Sequence, residues 1–138
     1  MSMPKRTAIL AVAILMTGGA LVTRASSAQP ASQEKVFWMV TVEVPLSKLP
    51  AYHAFSQETL TPLQAQHGYR WVASWQTIVG DIEEVIAVAE FASMNHYLTA
   101  RKSLLASPEW AAAGKQLDSM SRGIRTRLLR ATPYSTMQ

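Results

Sequence analysis

Residues 67–93 read HGYRWVASWQTIVGDIEEVIAVAEFAS, and the plan of the fold follows from them. His67-Gly68 closes a helical pattern. Tyr69 to Val79 is then rich in aromatic and β-branched residues, Gly80-Asp81 supplies turn chemistry, and Val85 to Phe91 is a second apolar run. Two such runs about a Gly-Asp turn predict an antiparallel hairpin. On the second run Val85, Ala87, Ala89 and Phe91 share one face, while Glu84, Ile86, Val88 and Glu90 share the other. Both faces carry apolar residues, whereas a half-solvated strand alternates apolar and polar ones. Each face therefore needs a cover, and the helices elsewhere in the chain suffice for one. The other is expected to pack on a second copy.

Upstream of the hairpin, Val36 to Val44 alternates as a strand. Val36, Trp38, Val40, Val42 and Val44 lie on one face, with Phe37, Met39, Thr41 and Glu43 on the other. Pro45 ends it, Ser47 is expected to cap the next helix, and Pro50 is tolerated in that helix's first turn. Leu49, Tyr52, Phe55 or Ser56, Leu60 and Leu63 recur at helical spacing. Pro62 interrupts this pattern and should kink the helix or leave a broken backbone bond near Glu58. Gly68 is placed as a left-handed stop.

Downstream, Ser93 caps a second helix whose stripe is Met94, Tyr97, Leu98, Arg101, Leu104 and Leu105. Ser107-Pro108-Glu109-Trp110 is a compact start for a third: cap residue, proline at the first helical position, acid near the positive end. Trp110, Ala113, Leu117 and Met120 give it a buried edge, and Ile124 to Leu129 closes as a strand. The order β-α-β-β-α(α)-β is that of a ferredoxin-like α+β sandwich, an antiparallel sheet with helices on one face. Pairing two such sheets through their open faces would give a dimeric α+β barrel.

The ends of the chain read differently. Residues 1–28 carry Lys5-Arg6, the uncharged run Ala8 to Val22 and the small-residue site Ala25-Ser26-Ser27-Ala28, the order of a secretory signal cut after Ala28. An uncleaved anchor is the alternative; the run is short for a span of about 20 apolar residues and contains Gly18-Gly19. Residues 29–35 form a polar lead-in, 36–135 the domain and 136–138 a tail. After cleavage no membrane span is expected, and the mature protein would be periplasmic or secreted. Removing Lys5, Arg6 and Arg24 from the 13 basic residues leaves ten against nine acidic ones, so the clustered excess of cations that nucleic-acid binding needs is missing. With no cysteine, disulfides and thiolate chemistry are excluded.

The motifs His67-Gly68-Tyr69, Val79-Gly80-Asp81-Ile82-Glu83-Glu84-Val85-Ile86 and Pro108-Glu109-Trp110, with the ending Arg127-Leu128-Leu129-Arg130 and Pro133-Tyr134-Ser135, together resemble the NIPSNAP family. That resemblance spans Val36 to Ser135 and implies the dimeric α+β-barrel fold, with no transferable reaction. Where the family often has Glu-Leu-Arg on its first strand and His-Leu-Trp on its third, this chain has Trp38-Met39-Val40 and Ala87-Val88-Ala89. A function resting on those side chains does not carry over.

Chemistry is sparsely marked. His53, His67 and His96 lack a second ligand-type residue at a metal-binding interval, and no metal or cofactor is expected. Alternation puts Trp71 and Trp75 on one face with Tyr69, Ala73 and Thr77. Sheet packing is the plain reading. The sharper one is an aromatic wall of an apolar pocket, with Ala73, Ala87 and Ala89 leaving room, Trp38 joining if the register allows, and Tyr52, His53 or Glu90 orienting a ligand. Glu90 would act as a base only if buried unpaired; pairing with Arg125 or Arg127 across the sheet, or a place near solvent at the dimer edge, is the simpler expectation. The expected function is thus a homodimer binding a small apolar or aromatic molecule or a partner protein. The alternative is a cofactor-free or haem-dependent oxidoreductase, by analogy of fold alone.

Overall fold

The computed structural model describes residues 34–138, so the signal segment and most of the lead-in lie outside the described residues. Strand β1 (Val36–Glu43) is followed by a short 3-10 turn, Leu46–Lys48, and a helical passage in three segments. These are α1 (Leu49–Phe55), a π-helical turn (Ser56–Leu60) and α2 (Thr61–Gln66). Strands β2 (Arg70–Gln76) and β3 (Glu84–Phe91) form the hairpin, and α3 (Met94–Leu105), α4 (Pro108–Met120) and β4 (Gly123–Leu129) complete the domain. The sheet order is β2-β3-β1-β4 with every pair antiparallel, which is the ferredoxin-like α+β arrangement. No helix among the described residues is long and apolar enough to cross a membrane.

Local rules account for the boundaries. The Ser93 hydroxyl accepts from the His96 N–H at 3.1 Å and the Ser107 hydroxyl from the Trp110 N–H at 3.0 Å, each satisfying a donor that the helix start leaves free. At the end of α2, Tyr69 N–H donates to the Gln64 carbonyl and Gly68 N–H to that of Ala65, both at 3.1 Å, with Gly68 at φ +93°. This is a Schellman closure, and its left-handed position suits glycine. The expected Ser47 cap does not form. Lys48 N–H closes on the Pro45 carbonyl at 2.7 Å, so the chain enters α1 through the 3-10 turn without a side-chain cap. Pro62 acts through the π turn: Thr61 N–H reaches back to the Ser56 carbonyl, widening the helix just where a proline ring would crowd the preceding turn.

The helix-side core comprises Trp38, Val40, Val42, Val85, Ala89 and Phe91 from the sheet, packed on Leu49, Tyr52, Phe55, Leu60, Leu63, Tyr97, Ala100, Leu104, Ala113 and Leu117. Phe91 is fully buried and meets Tyr69 and Tyr97 edge-on at centroid distances of 5.0 and 5.3 Å. The α3 stripe is narrower than its spacing suggested: Tyr97, Ala100 and Leu104 are buried, while Met94, Leu98 and Leu105 are exposed. The hairpin connection is also wider than a two-residue turn, for β2 stops at Gln76 and Thr77 N–H closes the loop on the Glu84 carbonyl at 3.0 Å.

One irregularity matters most. Trp71 pairs with Ala89, Ala73 pairs with Val88, and the register slips between them. A β-bulge at Val72 inserts one residue and reverses the alternation beyond it. Trp71 therefore faces the helices with Ala89, whereas Ala73 and Trp75 lie across from Val88 and Ile86 on the open face. The simple alternation that placed Trp71 and Trp75 together fails at this bulge.

Candidate functional site

Between α1–α2 and the β2–β3 half of the sheet lies a cavity of about 320 Å³, and the sheet register explains why it exists. Across three strands, Trp38, Ala89 and Trp71 stand in one row. The two indoles meet over the alanine at a centroid distance of 5.9 Å and fill that space. The next helix-side row is Val40, Ala87 and Ser74, with no large side chain over its β2 end. Without the bulge, Trp75 would point into this gap. With it, Ser74 does, and room remains above Ala87. The small residues thus leave a cavity at Ala87, while Ala89 is covered.

The floor is Val85, Ala87 and Ser74, with Trp71 as a wall and Ala73, which points to the other face, at its edge. The helical passage supplies the roof: Tyr52 and His53 from α1, Ser56 and Leu60 from the π turn, Thr61 and Gln64 from α2. Gln64 is the informative member. The residue is 6% exposed, its carboxamide makes no hydrogen bond to another protein group among the described residues, and its polar atoms are reached from the cavity rather than sealed off. A buried amide with two donors and an acceptor oxygen is ordinarily satisfied. Here the cavity itself is the space it faces. The Ser56 hydroxyl lies close enough to the Tyr52 phenol to lower its pKa slightly, yet the two fall short of hydrogen-bond geometry and Ser56 Oγ has no partner. Burial is the larger influence on Tyr52 and raises its pKa, so it is a neutral phenol at physiological pH. At the rim, His53 Nε2 bonds Gln76 Oε1 at 3.0 Å, tying α1 to the end of β2. The lining contains no carboxylate, lysine or arginine.

Of the six residues singled out from the sequence, the structure gathers Trp71, Tyr52 and His53 in the cavity wall. Trp38 supports it from behind through Trp71 and meets Tyr69 at 5.5 Å; the Trp38 and Trp71 indole N–H groups are both sealed off without acceptors. Trp75 is excluded and stands 56% exposed on the open face. Glu90 is excluded too, and its expected pairing with Arg125 or Arg127 does not occur. It lies opposite Arg70 and pairs with that residue at 2.9 Å and with Lys35 at 3.5 Å, while Arg125 bridges Glu43 and Glu84. The geometry is that of neighbouring strands: Glu43 and Glu84 are directly opposed like charges, and Arg125 relieves their repulsion. Ser56, Leu60, Thr61, Gln64 and Ser74 were not foreseen. Pro62 was the available signal for the first four, because a break in helical register turns polar residues onto a stripe that strict spacing leaves outside. Among the described residues no group of three or more His, Asp or Glu could hold a metal ion.

Solved structures share this architecture. A NIPSNAP family protein from Agrobacterium tumefaciens aligns with a TM-score of 0.70 at 19% identity, covering 75% of this chain and 99% of its own. A NIPSNAP domain protein from Burkholderia xenovorans aligns at 0.67 and 18%, covering 72% and 97%. A more distant match, at 0.53 and 16%, covers 75% of this chain and 93% of a Bacteroides thetaiotaomicron protein whose assignment as an antibiotic biosynthesis monooxygenase is provisional. At these identities the likeness is one of fold. No curated protein matches the sequence. The family model for NIPSNAP, however, matches residues 39–136, nearly the whole folded region from within β1 to the tail, and the chain belongs to the NIPSNAP family.

Proposed function

We propose that this protein is exported and acts as a homodimer, each subunit binding a small uncharged aromatic molecule in the cavity between α1–α2 and β2–β3. Gln64 carries the binding reading: a carboxamide without a protein partner, on a residue that is otherwise buried and lines a largely apolar cavity, is the combination that orients a ligand. At about 320 Å³ the cavity suits one or two fused rings, being near the lower end of the roughly 300–1,000 Å³ range of ligand pockets. The uncharged lining disfavours phosphates and carboxylates. Titrating tryptophan fluorescence with a panel of aromatic compounds tests this. Saturable quenching that is lost or altered in Trp71→Phe and retained in Trp75→Phe supports the site. The absence of saturable quenching by any compound refutes it.

The dimer reading rests on the open face of the sheet. Its centre is apolar, with Met39, Ile86 and a half-exposed Trp75 around a Val88 that is already buried in the subunit. Its ends are charged, with the Arg125 cluster at one and Glu90, Arg70 and Lys35 at the other. An apolar centre with a polar rim is how interfaces are built, and a second copy presents the same surface to it. Trp75→Asp, at a position 56% exposed in the subunit, should yield a folded monomer by sedimentation velocity; a wild-type protein that is monomeric at micromolar concentration contradicts the reading. Export is supported by the composition of residues 1–28 and predicts a mature terminus at Gln29, which N-terminal sequencing of envelope material reads directly.

Cofactor-free oxygenation in the same cavity is a second reading, favoured only by the fold shared with the Bacteroides protein. A haem-dependent form does not fit the lining. His53 is its one histidine, and Nε2 is engaged by Gln76. Oxygen uptake on adding a bound aromatic compound would separate catalysis from binding.

A further inference from the structure

We propose that the ligand is a flat, uncharged heteroaromatic molecule whose edge carries a ring N–H beside a carbonyl, a lactam edge, and that Gln64 is the residue that reads it. The proposal rests on the cavity being a ligand site and specifies what enters it. A carboxamide presents an N–H donor and a carbonyl acceptor side by side. Its complement is an acceptor and a donor at the same spacing, the two-point pairing by which glutamine reads the edge of adenine. An aromatic hydrocarbon satisfies neither half of Gln64, and a ketone or quinone satisfies only the donor half. Gln64 is only 6% exposed and lines the cavity, so a ligand seated there displaces the water at its carboxamide, and a half left without a partner is felt in affinity.

The surroundings agree with this edge. Trp71 and Tyr52 offer aromatic surface for a planar ring, and Ala87 and Val85 give an apolar floor. The Ser56 hydroxyl, buried and unpartnered on the same helical passage, is free to bond a second polar atom of the ring system. No charged side chain lines the cavity to pair with an ionised ligand.

Calorimetric titration of the full mature protein with three matched probes tests the idea. These are 2-quinolinone, which has the complete edge; N-methyl-2-quinolinone, which keeps only the acceptor; and quinoline, which lacks the carbonyl. We expect 2-quinolinone to bind roughly tenfold or more tightly than either of the others, the loss of one buried hydrogen bond. In Gln64→Leu this preference should vanish while binding itself persists. Equal affinity for all three overturns the lactam edge but leaves the cavity as an aromatic site. Binding by none of them, in a protein that also fails to quench with the wider aromatic panel, removes the site itself. A preference that survives Gln64→Leu assigns recognition elsewhere and overturns the role of Gln64. The wild-type series decides about the edge even if the variant folds poorly.

Discussion

Replacing Trp71 and Trp75 by alanine, one at a time, separates the two faces of β2. Trp71 is half-buried on the helix side, packed on the core and meeting Trp38 at 5.9 Å and Tyr69 at 6.4 Å. Truncating a fully buried tryptophan costs about 3–5 kcal/mol, and each aromatic pair adds about 0.5–1.5 kcal/mol beyond area. Because Trp71 is only partly buried, Trp71→Ala should cost about 2–4 kcal/mol of folding stability, independent of protein concentration. Trp75 is 56% exposed in the single subunit, so Trp75→Ala should cost about 1 kcal/mol or less when the protein is dilute. If the proposed dimer forms through this face, the loss in Trp75→Ala should grow with protein concentration, because the wild type would gain stability from association and the variant would not. Urea unfolding followed by circular dichroism, at protein concentrations spanning a hundredfold or so, reads both terms. Equal losses in the two variants when the protein is dilute would mean that the indoles share a face and that the bulge at Val72 is wrong, and a loss in Trp75→Ala that does not change with concentration would contradict the dimer.

Three further outcomes follow from the geometry. Ser93→Ala and Ser107→Ala each remove a bond to a free helix-start N–H and should cost about 1 kcal/mol by the same urea assay. Gly68→Ala forces a Cβ into a φ of +93° and to 3.3 Å from His96 Nε2, so it should cost about 1–2 kcal/mol, more than most surface changes. Tyr69 has its pKa pushed up to about 12 by burial, with Tyr97 adding and Arg101 opposing. A raised folded-state pKa means the unfolded chain loses its proton first, so Tyr69 contributes fully below pH 10 and its contribution falls away between pH 10 and about 12. Tyr69→Phe should flatten that part of the stability profile.

Strand alternation and helix spacing carried most of the architecture. The β1 and β3 faces follow from period-two reading, since both strands run without interruption in a shared register from Val36–Phe91 to Glu43–Glu84. The Ser93, Ser107 and Gly68 signals were legible because each acts through its own neighbours. The cavity was less legible. It depends on one inserted residue at Val72 and one π turn before Pro62, and each changes which side chains share a face without changing composition. The bulge shows in how the rows on either side of it pack, the indoles over Ala89 and the gap over Ala87, and those rows become visible only once the strands are paired. Glu90 illustrates the same limit. Its partner was decided by which strand lay beside β3, and Arg70 on β2 was the neighbour rather than an arginine of β4.

A native mass spectrum of the protein, purified gently from the cells that express it, tests the central claim most directly. The account predicts a dimer in which each subunit retains a small neutral adduct, displaced by saturating aromatic compound in the wild type and bound more weakly in Gln64→Leu. A subunit that carries no adduct, and acquires none when any of the aromatic compounds is supplied in excess, would contradict it.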